Sequence, residues 1–359
     1  MEGKILSKST YIQCTQDELV NAAENNKDIY SAWTPYSNKL IPLETISFLS
    51  DVIKRKTFND LKAKIKEGYQ ITVFFGILTV IDVFVFKDKG PSLTPLLFLI
   101  FGVIPVISGR YELSRLDNIT FEDRAYDILY NRWIGKKVSR PLIAFCIVLV
   151  LIAILQFIFG LSNSVELAGL VKEKTWNGEY FRVVTATLLH GGILHIIFNG
   201  LVLFSIGQLI NAITHFSLIG LIFTLSAIVG SIFSLFLLPN ATSVGASGGI
   251  LGCIGFLLII TYYKRKIFPK EFFKSVITDV LIISLMGIVG YQIIDNAAHL
   301  GGFLTGCLLG FVILRDKEKT SLPFKPNEII ITLGYLSWLF LILASLFTIY
   351  KITPLQFNI

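Results

Sequence analysis

The chain has 359 residues, 53% of them hydrophobic and only 16% charged, whereas soluble domains carry about a quarter charged residues. Its apolar residues gather into runs long enough to cross a bilayer, which takes about 20 residues as helix. This argues against a soluble enzyme and for an all-α polytopic membrane protein. The formal net charge of +7 fits Lys and Arg gathered in cytoplasmic loops better than a nucleic-acid surface, so no nucleic-acid partner is expected.

Residues 1–67 are mixed polar sequence ending in the Lys-rich KRKTFNDLKAKIKEG, and read as a small helical domain or a partly ordered tail on the cytoplasmic side. The first 20 residues lack an apolar signal-peptide core. Apolar runs follow at 69–86, 93–109, 141–161, 188–211, 216–238, 244–263, 276–294, 296–314 and 329–350, giving nine candidate spans. The first two are short and form an N-terminal hairpin, 68–110, followed by a basic linker, 111–140. A six-span core over 141–315 and an extra C-terminal span within 316–359 complete the chain.

Three connections, RYELSRLDNITFEDRAYDILYNRWIGKKVSR, YYKRKIFPKEFFK and RDKEKTSLPFK, are rich in Lys and Arg and fall on one side if every span crosses. That side is then cytoplasmic, which puts the N-terminus inside and the C-terminus outside. Lys87 and Lys89 in the short opposite loop argue weakly the other way. Residues 162–187 are too long for a turn and too polar to span. Trp176, Tyr180 and Phe181 suit the membrane interface, and Glu179 and Arg182, three apart, can pair across one helical turn.

Ionisable and strongly polar groups inside a bilayer cost energy, so each is a functional candidate. In TLLHGGILHIIFNGLVLFSIGQL, His195, Asn199, Leu203 and Gly207 recur every four residues along one helix face, and His190 precedes them across a Gly191–Gly192 bend. In PNATSVGASGGILGCIGF, Gly245 and Gly248 flank Ser247, so backbone can approach closely around it. Taken alone, that run suits a nucleophile or plain small-residue packing. In DNAAHLGGFLTGCLLGF, Gly302, Gly306 and Gly310 form a close-approach ladder, His299 lies about one turn before it, and Asp295 or Asn296 can cap the helix.

Two Gly-rich faces packed together would bring the Ser247 hydroxyl within reach of the His299 imidazole. Ser247 would attack a carbonyl and His299 would take its proton. The Ser247 N–H, Asn199 and His195, beside Gly245, would stabilise the oxyanion. No carboxylate is clearly placed to orient His299, so the expectation is a dyad.

At this point the residues resemble a known signature. GASG at 245–248, H-x-x-x-N at 195–199, AHLGG at 298–302 and GEYFRVVTATLLHGG are similar to the motifs of rhomboid intramembrane serine proteases, over about residues 141–315. The resemblance implies a six-helix core with Ser247 on its fourth helix and His299 on its sixth, supported by His190, Gly248, Gly302, Glu179 and Arg182. It also implies cleavage of transmembrane protein substrates in the lipid bilayer, with loop 162–187 structured partly in the membrane and the fifth core helix gating access. Phe181 stands where the family has Trp, and Leu251 where it has an aromatic packing on the catalytic His. The last span is like that of rhomboids with six plus one helices, while the N-terminal hairpin has no rhomboid counterpart.

No metal or cofactor is expected. The rivals are a catalytically silent rhomboid-like client binder and a transporter using His190, His195, His299 and Asp279. The sequence shows no repeated halves of the kind transporters carry, nor an H-E-x-x-H metal pattern. A bacterial plasma membrane is the expected location.

Overall fold

A computed structural model describes residues 3–7, 10–25, 31–33, 41–42, 49–85, 94–114, 138–264, 270–313, 324 and 326–354. Most of the basic linker, the loop with Lys87 and Lys89, residues 265–269 of YYKRKIFPKEFFK and most of RDKEKTSLPFK lie outside the described residues. The chain divides into two units, Met1–Arg132 and Trp133–Ile359.

The first unit opens with strands β1 (Gly3–Ser7), β2 (Thr10–Cys14), β3 (Ser31–Trp33) and β4 (Ile41–Pro42), in an antiparallel sheet of order β2-β1-β3-β4. Helix α1 (Gln16–Asn25) starts at a reciprocal cap: Thr15 N–H donates to Glu18 Oε2 at 2.8 Å, and Glu18 N–H donates to Thr15 Oγ1 at 3.3 Å. The described part of the N-terminal segment thus carries a short sheet beside its helix, where the sequence suggested helix or tail. Its strands are short, and their pairing is not marked by a local alternation.

Helix α2 (Ser50–Val85) joins the Lys-rich stretch and the first apolar run without a break. The returning arm is α3 (Thr94–Leu97), a π-helical turn Phe98–Val103 and α4 (Ile104–Ser114). Pro105 has no N–H to give to the preceding turn, and a wider turn just before it is a way to absorb that loss. A Cβ on Gly102 would sit 2.8 Å from Thr72 Cα, so glycine is what lets the two arms touch. Val73, Phe74, Ile77 and Phe84 point outward, as suits a hairpin facing lipid.

In the second unit, α5 (Arg140–Phe159), α9 (Ile193–Ile213), α10 (Ser217–Leu237), α13 (Asn296–Ile313) and α14 (Glu328–Ile352) are long and apolar enough to cross a membrane. Between α5 and α9 run the short helices α6 (Leu161–Ala168), α7 (Lys172–Trp176) and α8 (Arg182–Thr185), then a 3-10 turn. Helices α11 (Ser247–Tyr263) and α12 (Lys270–Val289) complete the set. All nine predicted apolar runs thus fall on helices, and the protein is a polytopic membrane protein.

Helix α10 is the middle of this unit, 72% of its apolar window being buried against about a third for α5, α13 and α14. Helices α11 and α13 pack backbone to backbone: a Cβ at Gly302 would collide with the Gly248 carbonyl, and one at Gly306 with that of Gly252. Helix α14 lies on α10, with Gly334 against the Ser217 backbone and Trp338 Nε1 donating to Phe216 O at 3.3 Å.

Candidate active site

Ser247 is the first residue of α11 and is half-buried. At 17 residues this helix is about 26 Å long at 1.5 Å per residue, short of the roughly 30 Å hydrocarbon core. A helix that short begins or ends below a surface. Its first-turn N–H groups have no intrahelical acceptor, and the dipole at this end favours negative charge.

Gly245, two residues earlier, has φ +137, a conformation that favours glycine. Its N–H donates to Ala186 O at 2.9 Å. A Cβ there would stand 2.8 Å from His195 Cε1 and 3.8 Å from Asn199 Nδ2, so the bare glycine is what admits both α9 side chains to the start of α11.

The Gly191 N–H donates to His195 Nδ1 at 3.2 Å. Nδ1 is thereby an acceptor, and neutral His195 carries its proton on Nε2, which lies on the Gly245 side. The Nδ2 of Asn199 is buried and has no hydrogen-bond partner among the described residues. Two N–H donors are therefore free to serve an incoming oxygen. His190 is buried and packs edge-on against His195, ring centroids 5.2 Å apart. Its backbone is held by Gln156 of α5, which accepts from His190 N at 2.9 Å and donates to His190 O at 3.2 Å.

Asp295 and Asn296 divide the work at the start of α13. Asp295 Oδ1 accepts from Ala298 N at 2.9 Å and caps the helix, while Asn296 Nδ2 donates to Gly287 O of α12 at 2.8 Å. The Ala298 carbonyl lies 3.3 Å from where a Gly248 Cβ would be. The residues beside Ser247 and His299 thus meet across the α11–α13 seam. Among the described residues no hydrogen bond joins Ser247 Oγ to His299. Catalytic hydrogen bonds are often long without substrate and tighten in the complex.

The 162–187 segment supplies the wall. Arg182, 2% exposed, donates from Nε to Glu179 Oε2 at 2.7 Å and from its terminal nitrogen to Gly169 O at 2.8 Å. Leu170 and Ser243 exchange backbone hydrogen bonds of 3.0 and 3.3 Å, tying this wall to the strand-like approach to Ser247. An open cavity beside Ser247 is lined by Thr187, Ser231, Ser234, Ser243 and Asp295, among others. Asp279 lies on α12 and does not line it.

A rhomboid-domain family model matches residues 177–316. The chain is 37% identical over 145 residues to RHOMBOID-like protein 4 of Arabidopsis thaliana, 40% of this chain and 36% of that protein. Rhomboid protease GluP of Bacillus subtilis (strain 168) is 37% identical over 129 residues, 36% of this chain and 25% of that protein. A third relative, named "Putative rhomboid protease YdcA", also from Bacillus subtilis (strain 168), is 31% identical over 144 residues, 40% of this chain and 72% of that protein. The chain belongs to the rhomboid family. It spans about a third of the first relative's length and a quarter of the second's.

Helices α9 to α13 fall within the residues that the family model matches, with Ser247 opening α11 and His299 in the first turn of α13. Phe181, in the position of the family's Trp, stacks edge-on against Phe347 of α14 at 5.4 Å, and Lys351 Nζ lies 4.8 Å from its ring centre. Sequence reasoning missed Gln156, although an amide inside the 20-residue apolar α5 was itself a signal. It also missed Lys172, which no local spacing distinguishes from other lysines of a polar loop.

Proposed function

We propose that this rhomboid is an intramembrane serine endopeptidase that hydrolyses peptide bonds in or near transmembrane segments of membrane proteins. The observation that carries the reading is the arrangement around Gly245. A serine opens a short helix, its backbone neighbours meet those of His299, and the Asn199 amide and His195 Nε2 face the same glycine with donors to spare.

In this reading the Ser247 Oγ attacks the scissile carbonyl as its proton passes to His299. The carbonyl oxygen becomes an oxyanion, held by the Ser247 N–H, Asn199 Nδ2 and His195 Nε2. Collapse breaks the C–N bond, the amine leaves with the proton from His299, and water repeats the sequence on the acyl-enzyme. Gly245, Gly248 and Gly302 keep the helices close, His190 backs His195, and the Glu179–Arg182 pair holds the wall. The basic connections in the sequence support a cytoplasmic N-terminus and an external C-terminus.

The test is cleavage of a transmembrane reporter by the purified full chain in detergent, alongside Ser247→Ala, His299→Ala and labelling by a fluorophosphonate. A discrete product and labelling lost in both variants are expected. Cleavage that survives Ser247→Ala refutes the assignment, and neither labelling nor cleavage by wild type marks a catalytically silent client binder.

A further inference from the structure

Lys172 is a charged side chain only 4% exposed, on the wall segment and ahead of the residues that match the family model. Its Nζ donates to Ser234 Oγ of α10 at 2.8 Å and to Ser243 Oγ at 2.6 Å. The two hydroxyls are 3.1 Å apart, and Ser234 also donates to Asp295 Oδ2. One ammonium thus joins four separate pieces of chain: the wall, the outer end of α10, the approach to Ser247 and the cap of α13. Ser234, Ser243 and Asp295 line the cavity that contains Ser247, and Asp295 stands one turn before His299.

A buried ammonium is costly unless paired, and packing alone would be served by Met or Leu. The network therefore has a cost in stability that a purely structural role does not explain. We propose that Lys172 is a positioning residue for the Ser247–His299 centre, its charge holding Asp295 and the start of α13 in register with the approach to α11. The proposal rests on the protease reading above.

The charged group facing Lys172 is Asp295 from α13. Helix α10 and the 238–246 segment present the Ser234 and Ser243 hydroxyls. On its own helix Glu173 is exposed, and Lys174 is engaged with Glu166 at 2.7 Å. Burial pulls the Lys172 ammonium down from the ordinary 10.5 to about 8, against the pull of Asp295, which favours the charge. The folded protein therefore gives up this proton near pH 8, while the unfolded chain keeps it up to about 10.5. Between those values the unfolded state holds more protons, so stability rises with pH. Positioning by the charge is lost over the same range, so activity falls. A merely structural lysine would move both in one direction.

The experiment follows cleavage rate and thermal midpoint of the full chain in detergent from pH 7 to 10. The reporter is a transmembrane segment with no group titrating in that range. For wild type the rate falls with a midpoint near pH 8 while the thermal midpoint rises. Lys172→Arg, which stays protonated, retains cleavage and moves the alkaline limb up by more than one pH unit. Lys172→Met cleaves at least tenfold more slowly at pH 7, lacks that limb and loses the pH-dependent rise in thermal midpoint. Wild-type rate and limb in both variants would overturn the proposal, as would a thermal midpoint that rises equally in Lys172→Met. Failure of the protease reading looks different: no form cleaves or labels at any pH, and the positioning role falls with it.

Discussion

The closeness of the α10–α13 contact is tested by Gly230→Ala. An alanine Cβ at 230 would stand 2.6 Å from the Ala298 carbonyl oxygen and 3.5 Å from Gly302 N. A carbon–oxygen contact settles at about 3.3 Å or more, so α10 and α13 must separate by about 0.7 Å. The obstacle is backbone, which cannot swing aside as a side chain does. Overpacking of this kind costs about 1–3 kcal/mol, and displacement falls on the residue next to His299. Misplacement of reacting groups by 1 Å can lower a rate by about a hundredfold, so a loss of tenfold or more in reporter cleavage is expected, with a lower thermal midpoint. Gly200 is the matched control. It lies inside α9, and a Cβ there meets nothing within 4 Å, so Gly200→Ala should leave cleavage intact. If both variants keep wild-type rate and thermal midpoint, or if both lose them equally, the argument from interhelical contact is wrong.

Removing the Asn199 amide with Asn199→Ala should cut kcat by about 10²–10³ with KM little changed, as for loss of one oxyanion donor, measured on the same reporter. Arg182→Ala strips two hydrogen bonds of a charged group, each worth about 1.5–3 kcal/mol, and should lower the thermal midpoint. Arg182→Lys should not restore it, because one ammonium cannot reproduce the fork to Glu179 and Gly169. Gln156→Leu breaks the bidentate grip on the His190 backbone and should lower kcat more than it lowers the thermal midpoint, since the loop ahead of α9, not the helix bundle, is what it releases. Phe181→Ala should loosen the Phe347 and Lys351 contacts of α14 and increase proteolytic nicking near the C-terminus, read by mass spectrometry.

The nine apolar runs were legible because length and hydropathy nearly suffice to place a membrane helix. The ends were less so. The run at 188–211 starts five residues before α9, because Gly191 and Gly192 and the grip of Gln156 on His190 keep the first stretch out of the helix. The run at 244–263 starts three before α11, because Gly245 holds φ +137. The glycine ladder that follows His299 along its helix and the Glu179–Arg182 pair were visible in spacing alone, since helical neighbours are fixed by sequence distance. The N-terminal sheet was not, its strands being too short to show a period. Nor was the Lys172 network, whose members lie at 172, 234, 243 and 295: contacts that far apart follow from the assembled fold, and no window along the chain contains two of them with their reason.

The buried polar groups around Ser247 fall into two kinds, and the difference separates scaffold from chemistry. Arg182, Thr185, Gln156 and Lys172 are each buried and each bonded: Arg182 to Glu179 and Gly169, Thr185 Oγ1 to Ala168 O at 2.6 Å, Gln156 to His190, and Lys172 to two serines. Their bonding capacity is used in holding the wall, so their loss acts through position. Asn199 Nδ2 is buried and has no partner among the described residues. A buried unpaired donor costs about 1–3 kcal/mol, a cost that folding alone gives no reason to keep. The His190 ring nitrogens and the Thr224 and Ser226 hydroxyls are unpaired too among the described residues, but a hydroxyl can rotate onto a carbonyl of its own helix and the His190 ring lies edge-on behind His195, whereas the Asn199 amide faces Gly245. On this ground Asn199→Ala should stabilise the fold slightly or leave it unchanged while cleavage falls. A drop in thermal midpoint with Asn199→Ala as large as that with Arg182→Ala would mean that the amide is scaffold after all.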